Sequence, residues 1–148
     1  MTASLVDTNI LVYAHDRGEF RKQGQAIQVL EHLHRTGSGR LSVQNLSEFF
    51  SITTRGAKPK LTAAEATQQV EWLARSWPVL DLTPLIVLEA MRGVRDHRLA
   101  FWDSQLWATA RLNQIPVIFS EDFNVGAVLE GVRFVNPFAA DFVLDAWV

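Results

Sequence analysis

The sequence predicts an α/β fold built on a central, mostly parallel five-stranded sheet flanked by helices. Three observations carry that prediction. Short apolar segments alternate with amphipathic helical patterns along the chain, helix caps and turn residues fall between them, and the strands are separated by helices. Right-handed crossovers through those helices set neighbouring strands parallel and cover both faces of the sheet. At 148 residues, with no repeat, low-complexity tract or linker, one domain over residues 1–148 is expected.

Taken in order, Ser4 to Val6 is the first strand and Ile10 to Ala14 a first helix. A longer helix runs from about Gln23 to Arg35 and is closed by Gly37, a residue suited to the left-handed conformation after a helix end. Leu41 to Val43 is the second strand. Asn45 or Ser47 opens a helix carrying Leu46, Phe49 and Phe50, and a surface loop follows at 55–60. Thr62-Ala63-Ala64-Glu65 is a capping box that opens a helix to about Arg75. Pro78 to Leu82 reads as the third strand. Thr83 as cap, with Pro84 in the first helical position, starts a helix to about Arg95. Asp103 to Asn113 is helical, Ile115 to Phe119 is a short strand rich in β-branched residues, and Arg133 to Val135 is the last strand. The apolar end at 142–148, including Trp147, is expected to dock on the core or on a partner.

Composition narrows the chemistry. There is no Cys, which removes disulfides, thiolate nucleophiles and Cys-ligated metals. No apolar run approaches the roughly 18 residues of a membrane span, and no basic leader precedes the first strand, so a cytoplasmic protein without membrane contact is expected. The net charge is -2, so no overall basic balance announces a nucleic-acid binder. Of the 14 basic residues, 11 are Arg, the better partner for phosphate and for stacked bases.

Ligands of open parallel sheets sit beyond the carboxyl ends of the strands, and four acids fall there. Asp7 ends the first strand, Asp122 follows the Ile115–Phe119 strand, Asp103 starts a helix after Phe101-Trp102, and Glu48 lies on the helix after the second strand. Each has an ordinary structural reading. Asp7 and Asp103 suit helix starts, Glu48 a solvated helix face, and Asp122 a turn. Together, carboxylates a few ångströms apart raise one another's pKa, and a divalent cation relieves that repulsion. All-oxygen ligands favour Mg²⁺ or Mn²⁺ over zinc and suit phosphodiester hydrolysis by a metal-activated water. Thr8, Asn9 and Ser120 are hydroxyl and amide neighbours in sequence of Asp7 and Asp122.

These residues resemble a known family. Leu5-Val6-Asp7-Thr8-Asn9-Ile10-Leu11-Val12-Tyr13-Ala14 is similar to the first motif of PIN-domain nucleases, and in particular of VapC-type toxins from toxin–antitoxin pairs. Gln44-Asn45-Leu46-Ser47-Glu48-Phe49-Phe50 resembles the second motif, Phe101-Trp102-Asp103-Ser104-Gln105-Leu106-Trp107-Ala108-Thr109-Ala110 the third, and Phe119-Ser120-Glu121-Asp122-Phe123 the fourth. Each is weak alone; four in order are specific. Gly131 to Phe138 also resembles the end of a common VapC-like subgroup, whereas Ser104 and Gln105 depart from its small and apolar residues. Glu121 and Asp122 are adjacent candidates for the fourth acid, and the family pattern favours Asp122.

The resemblance implies a PIN-like three-layer sandwich and a Mg²⁺- or Mn²⁺-dependent endoribonuclease with Asp7, Glu48, Asp103 and Asp122 as catalytic metal ligands. It implies that Thr8, Asn9 and Ser120 support those carboxylates. It further implies an RNA substrate, a cognate antitoxin that holds the toxin inactive, and a homodimer. A housekeeping RNA-processing nuclease and an inactive PIN-like scaffold are the alternatives within the fold. For substrate binding, Arg92, Arg95 and Arg98 recur every three residues and could track a phosphate backbone, and Trp102 could stack a base. His15 and His97 could assist at the rim. Phosphatases of the haloacid dehalogenase type and receiver domains also place an Asp after the first strand. Both need a Lys at the site, and Lys22, Lys58 and Lys60 lie in segments expected far from the strand ends.

Overall fold

A computed structural model describes residues 2–56, 59–123 and 126–147; Ala57 and Lys58 of the expected loop, and Val148 of the apolar tail, lie outside the described residues. The elements run β1 (Ser4–Val6), α1 (Thr8–Tyr13), α2 (Phe20–Thr36), β2 (Gly39–Ser42), α3 (Val43–Thr53), α4 (Ala63–Ser76) and β3 (Val79–Leu80). They continue with α5 (Pro84–His97), α6 (Phe101–Leu112), β4 (Val117–Phe119), β5 (Val128–Leu129), β6 (Val132–Val135) and a 3₁₀ turn at Leu144–Trp147.

The sheet has six strands in the order β3-β2-β1-β4-β6-β5, one more than the sequence predicts. All neighbours pair parallel except β5 with β6. The added strand is half of a tight hairpin. Glu130 (φ 48°) and Gly131 (φ 86°) form its two-residue loop, and Leu129 faces Val132 across it. Two successive positive φ values match the twist of flanking strands, and Asn-Gly or Asp-Gly is the usual signal; Glu at the first position hides it.

Side chains alternate across the sheet and found two cores. Val6, Val117 and Phe119 face α1 to α4 and pack with Ile10, Val29, Leu33, Phe49 and Trp77. Leu5 and Ile118 face the opposite layer and pack with Ile86, Ala90, Leu106 and Trp107 of α5 and α6. The result is a three-layer sandwich, as the resemblance implied. α5 and α6 approach closely because Gly93 lacks a Cβ; one built there would collide with Ser104 Oγ and the Trp107 ring.

Local signals set most boundaries. Gly37 takes φ 69° at the end of α2, Thr62 and Glu65 form the reciprocal box of α4, and Thr83 caps α5 with Pro84 behind it. The start of α3 differs from expectation. Its cap is Ser42, whose Oγ accepts from Asn45 N, while the Asn45 side chain accepts from Ser42 N, so Asn45 completes the box rather than opening the helix. β2 therefore ends where α3 begins, with no loop between, and Glu48 is carried straight to the rim.

Candidate active site

β1 and β4 lie side by side at the centre of the sheet, where the strand order reverses. That reversal opens a crevice beyond the strand ends. Asp7 N donates to Phe119 O at 2.9 Å, so the chain leaves β1 and β4 in step and brings Asp7 beside Ser120. The Asp7 carboxylate caps α1 by accepting from Thr8 N at 2.6 Å, and its other oxygen accepts from Ser120 Oγ at 2.6 Å. Asp7 thus fills the capping role of its structural reading. The side chain is buried, at 8% exposure. Burial pushes its pKa up to about 7 against the Ser120 hydrogen bond, with repulsion from Asp122 and Asp103 adding to the rise.

Ser120 joins this acid to the next. Its Oγ accepts from Asp122 N at 3.1 Å, and Asn9 Nδ2 donates to Asp122 Oδ2 at 3.0 Å. Asn9 Oδ1 is buried and has no partner among the described residues. Thr8 Oγ1 donates to Glu48 Oε1 at 2.8 Å while accepting from Asn45 Nδ2 at 3.0 Å. The three residues predicted to orient the carboxylates therefore each touch one.

Asp103 arrives from the first turn of α6, whose cap position, Ala100, offers no side chain to the helix end. Among the described residues no hydrogen bond reaches the Asp103 carboxylate. Burial raises its pKa, and the charges of Asp122 and Glu48 raise it further. Asp7, Asp103, Asp122 and Glu48 thus share one field. The adjacent Glu121 turns away: Tyr13 OH donates to it at 2.6 Å and Lys22 forms its ion pair. Burial works against that charge, yet Lys22 and Tyr13 hold Glu121 below the usual glutamate range. Lys22 consequently stands near the end of β4, contrary to the expectation that every lysine lies far from the strand ends.

Two glutamines escaped the sequence reading. Buried Gln44 donates to Glu48 Oε1 at 3.3 Å and to Trp102 O at 2.9 Å, and buried Gln105 donates to Gln44 Oε1 at 2.9 Å. They brace α3 against α6 and fix the two helices that present Glu48 and Asp103. Gln44 stands four residues before Glu48 on one helix face, which is the only local signal of the link.

The arginine ladder does not survive intact. Arg92 is held by Glu89, Asp96 and Glu130, and Arg95 Nε pairs with Asp96 at 2.9 Å. Exposed Arg98 ends α5 in the left-handed conformation, φ 57°. His97 bonds Glu130 and packs on Trp107, and His15 packs edge-on against Phe49. Trp102 is 62% exposed beside Asp103.

The donor set has the chemistry of a hard-cation site: carboxylates only, mutually repelling, braced by hydroxyls and amides. Among the described residues no three acids or histidines already close around one point.

The likeness to known proteins follows the same lines. A sarcin–ricin-loop-cleaving toxin, VapC20 of Mycobacterium tuberculosis, shares the fold with a TM-score of 0.65 at 18% identity, over 86% of this chain and 98% of that one. A toxin–antitoxin complex from Klebsiella pneumoniae gives 0.65 at 20% identity, over 92% and 98%. DNA-bound VapBC from Salmonella typhimurium gives 0.64 at 15%, over 93% and 99%. No curated protein matches the sequence. The sequence profile of the PIN domain matches residues 4–128, so the chain belongs to the PIN domain family.

Proposed function

We propose that this protein is a Mg²⁺- or Mn²⁺-dependent endoribonuclease, the toxin of a toxin–antitoxin pair, formed by one PIN domain over the whole chain. The observation that carries the reading is geometric: the buried Asp7 carboxylate is tied through Ser120 and Asn9 to Asp122 at the crevice beyond β1 and β4, under the charge of Asp103. Carboxylates gathered in that way repel one another, and a cation offsets the charge. Asp7, Asp103, Asp122 and Glu48 would hold the ion. When bound, such an ion acidifies water and neutralises charge gathering on a scissile phosphate. The protein's own contribution is orientation. Ser120 and Thr8 N–H turn both Asp7 oxygens, Asn9 turns Asp122, and Thr8 with Gln44 turns Glu48. Removing such supporting bonds typically costs about 10- to 100-fold in metal affinity or activity.

Toxin–antitoxin complexes of the same fold support a protein antitoxin as partner. Among the described residues no helix is long and apolar enough to cross a membrane; a cytoplasmic location is part of the proposal. The test is cleavage of mixed cellular RNA by wild type and Asp7→Asn, with Mg²⁺, with Mn²⁺ and with EDTA. Metal-dependent cutting that disappears in the variant is expected. Full cutting by Asp7→Asn would remove the assignment, and intact RNA in all conditions, with no heat of Mg²⁺ or Mn²⁺ binding, would leave a scaffold.

A further inference from the structure

We propose that an open pocket between α3 and α6, beside Glu48, receives one unpaired nucleobase of a single-stranded RNA. The inference rests on the ribonuclease reading and adds a base-binding subsite to it. The pocket is about 410 Å³, within the range of roughly 300 to 1,000 Å³ usual for small-ligand sites. Its lining is of two kinds. Trp102, Leu82 and Val43 are exposed apolar side chains, at 62%, 44% and 37%. Gln44 and Gln105 are buried amides, and Ser47 and Ser51 add hydroxyls one helical turn apart on α3.

The polar lining discriminates between occupants. Gln44 is spent: its carbonyl accepts from Gln105 and its amino group donates to Glu48 and to the Trp102 carbonyl. Among the described residues the Gln105 side-chain carbonyl and the Ser47 and Ser51 hydroxyls have no partner. An aliphatic protein anchor would cover those groups without satisfying them, which is costly. A nucleobase carries donors and acceptors on its edge and a π face for the indole. Trp102 is also steadied for that purpose, its backbone held by Gln44 and its ring meeting Phe101 edge-on at 5.0 Å between centroids.

Location decides the rest. Glu48 lines the pocket and also belongs to the carboxylate cluster, and Trp102 adjoins Asp103 in sequence. An occupant therefore shares a wall with the acids, as a base does when its own backbone phosphate lies at them. The pocket is then the place where the enzyme tells one nucleotide next to the cut from another.

The experiment is a titration of the ¹⁵N-labelled protein, with Ca²⁺ in place of Mg²⁺ to neutralise the carboxylates while slowing cutting, with an unstructured hexaribonucleotide of mixed sequence. Loss of one indole N–H signal in Trp102→Phe identifies the resonance. In wild type it should shift and saturate, while the signals of Trp72, Trp77, Trp107 and Trp147 stay nearly still. Trp102→Ala should weaken binding about tenfold or more, and Trp102→Phe should keep most of it, as base stacking requires. A Trp102 signal unmoved by RNA, one moved only by a protein partner, or equal affinity in Trp102→Ala would each overturn the proposal. The outcome separates from the cleavage test. An RNA-responsive Trp102 in a chain that never cuts keeps the pocket and removes the nuclease, and a cutting chain with a silent Trp102 removes only the pocket.

Discussion

Asp7 titrates near 3.8 in an unfolded chain and near 7 in the folded one, because burial, Asp122 and Asp103 all oppose its charge. Between those pH values the folded protein holds a proton that the unfolded chain has released. Stability therefore falls as pH rises from about 4 to 7 and is level above, a loss of about 4 kcal/mol from this one group. In EDTA the thermal midpoint of wild type should drop between pH 5 and 7.5, whereas Asp7→Asn should lack that part of the drop. Parallel slopes in the two proteins would refute the burial account. Mg²⁺ should raise the wild-type midpoint more at pH 7.5 than at pH 5, since a carboxylate must lose its proton to bind metal. The positions of the four acids were legible in the sequence, since Asp7 follows β1, Asp122 follows β4, Asp103 lies in the first turn of α6 and Glu48 lies about one turn into the helix after β2. Gln105 was not, because its partner Gln44 is 61 residues away. The ion pairs of Arg92 were hidden for the same reason: a three-residue spacing shows a shared face but not the Glu130 that also reaches it, 38 residues on from Arg92.

The α5–α6 pair shows how a single atom sets the position of an element. Alanine normally improves a helix interior over glycine by about 1 kcal/mol. At position 93 the added methyl meets Ser104, whose hydroxyl donates to Ala90 O at 2.6 Å, and the fully buried Trp107 ring. Gly93→Ala should therefore destabilise the protein by about 1 to 3 kcal/mol in urea unfolding, the range for overpacked cores. A gain in stability would mean that α5 and α6 do not pack this closely. Since α6 presents Asp103, the variant should also lose activity in proportion to any shift of that helix. Element types followed from caps and apolar spacing, and the boundaries moved where tertiary partners intervened. Ser42 became the α3 cap because β2 runs directly into the helix, and α6 begins at Phe101, two residues before Asp103. Glu130 keeps its left-handed backbone in the β5–β6 loop while Arg92, His97 and Arg111 hold its carboxylate.

At the scale of the molecule, parallel strands and crossover helices put the acids beyond the strand ends, a rim legible from the alternation of elements, while its seat at the β1–β4 reversal came from the strand order of the structure. The outer face of α5 is a different matter. Leu85, Leu88 and Met91 recur every three residues at 70%, 60% and 54% exposure, an apolar stripe of the kind that marks protein contact. If the homodimer implied by the resemblance uses this stripe, sedimentation should show a dimer at micromolar concentration that Leu88→Glu converts to monomer without changing the far-ultraviolet spectrum. A wild type that stays monomeric would remove the dimer. The two margins of the sheet have a consequence for any such assembly. β3 at one margin and β5 at the other are each two residues long. Margins that short offer a visiting segment almost no row of free amides and carbonyls to zip onto. Growth of the sheet by recruited strands is thereby disfavoured at both ends, which turns partners towards the helical layers and their side chains.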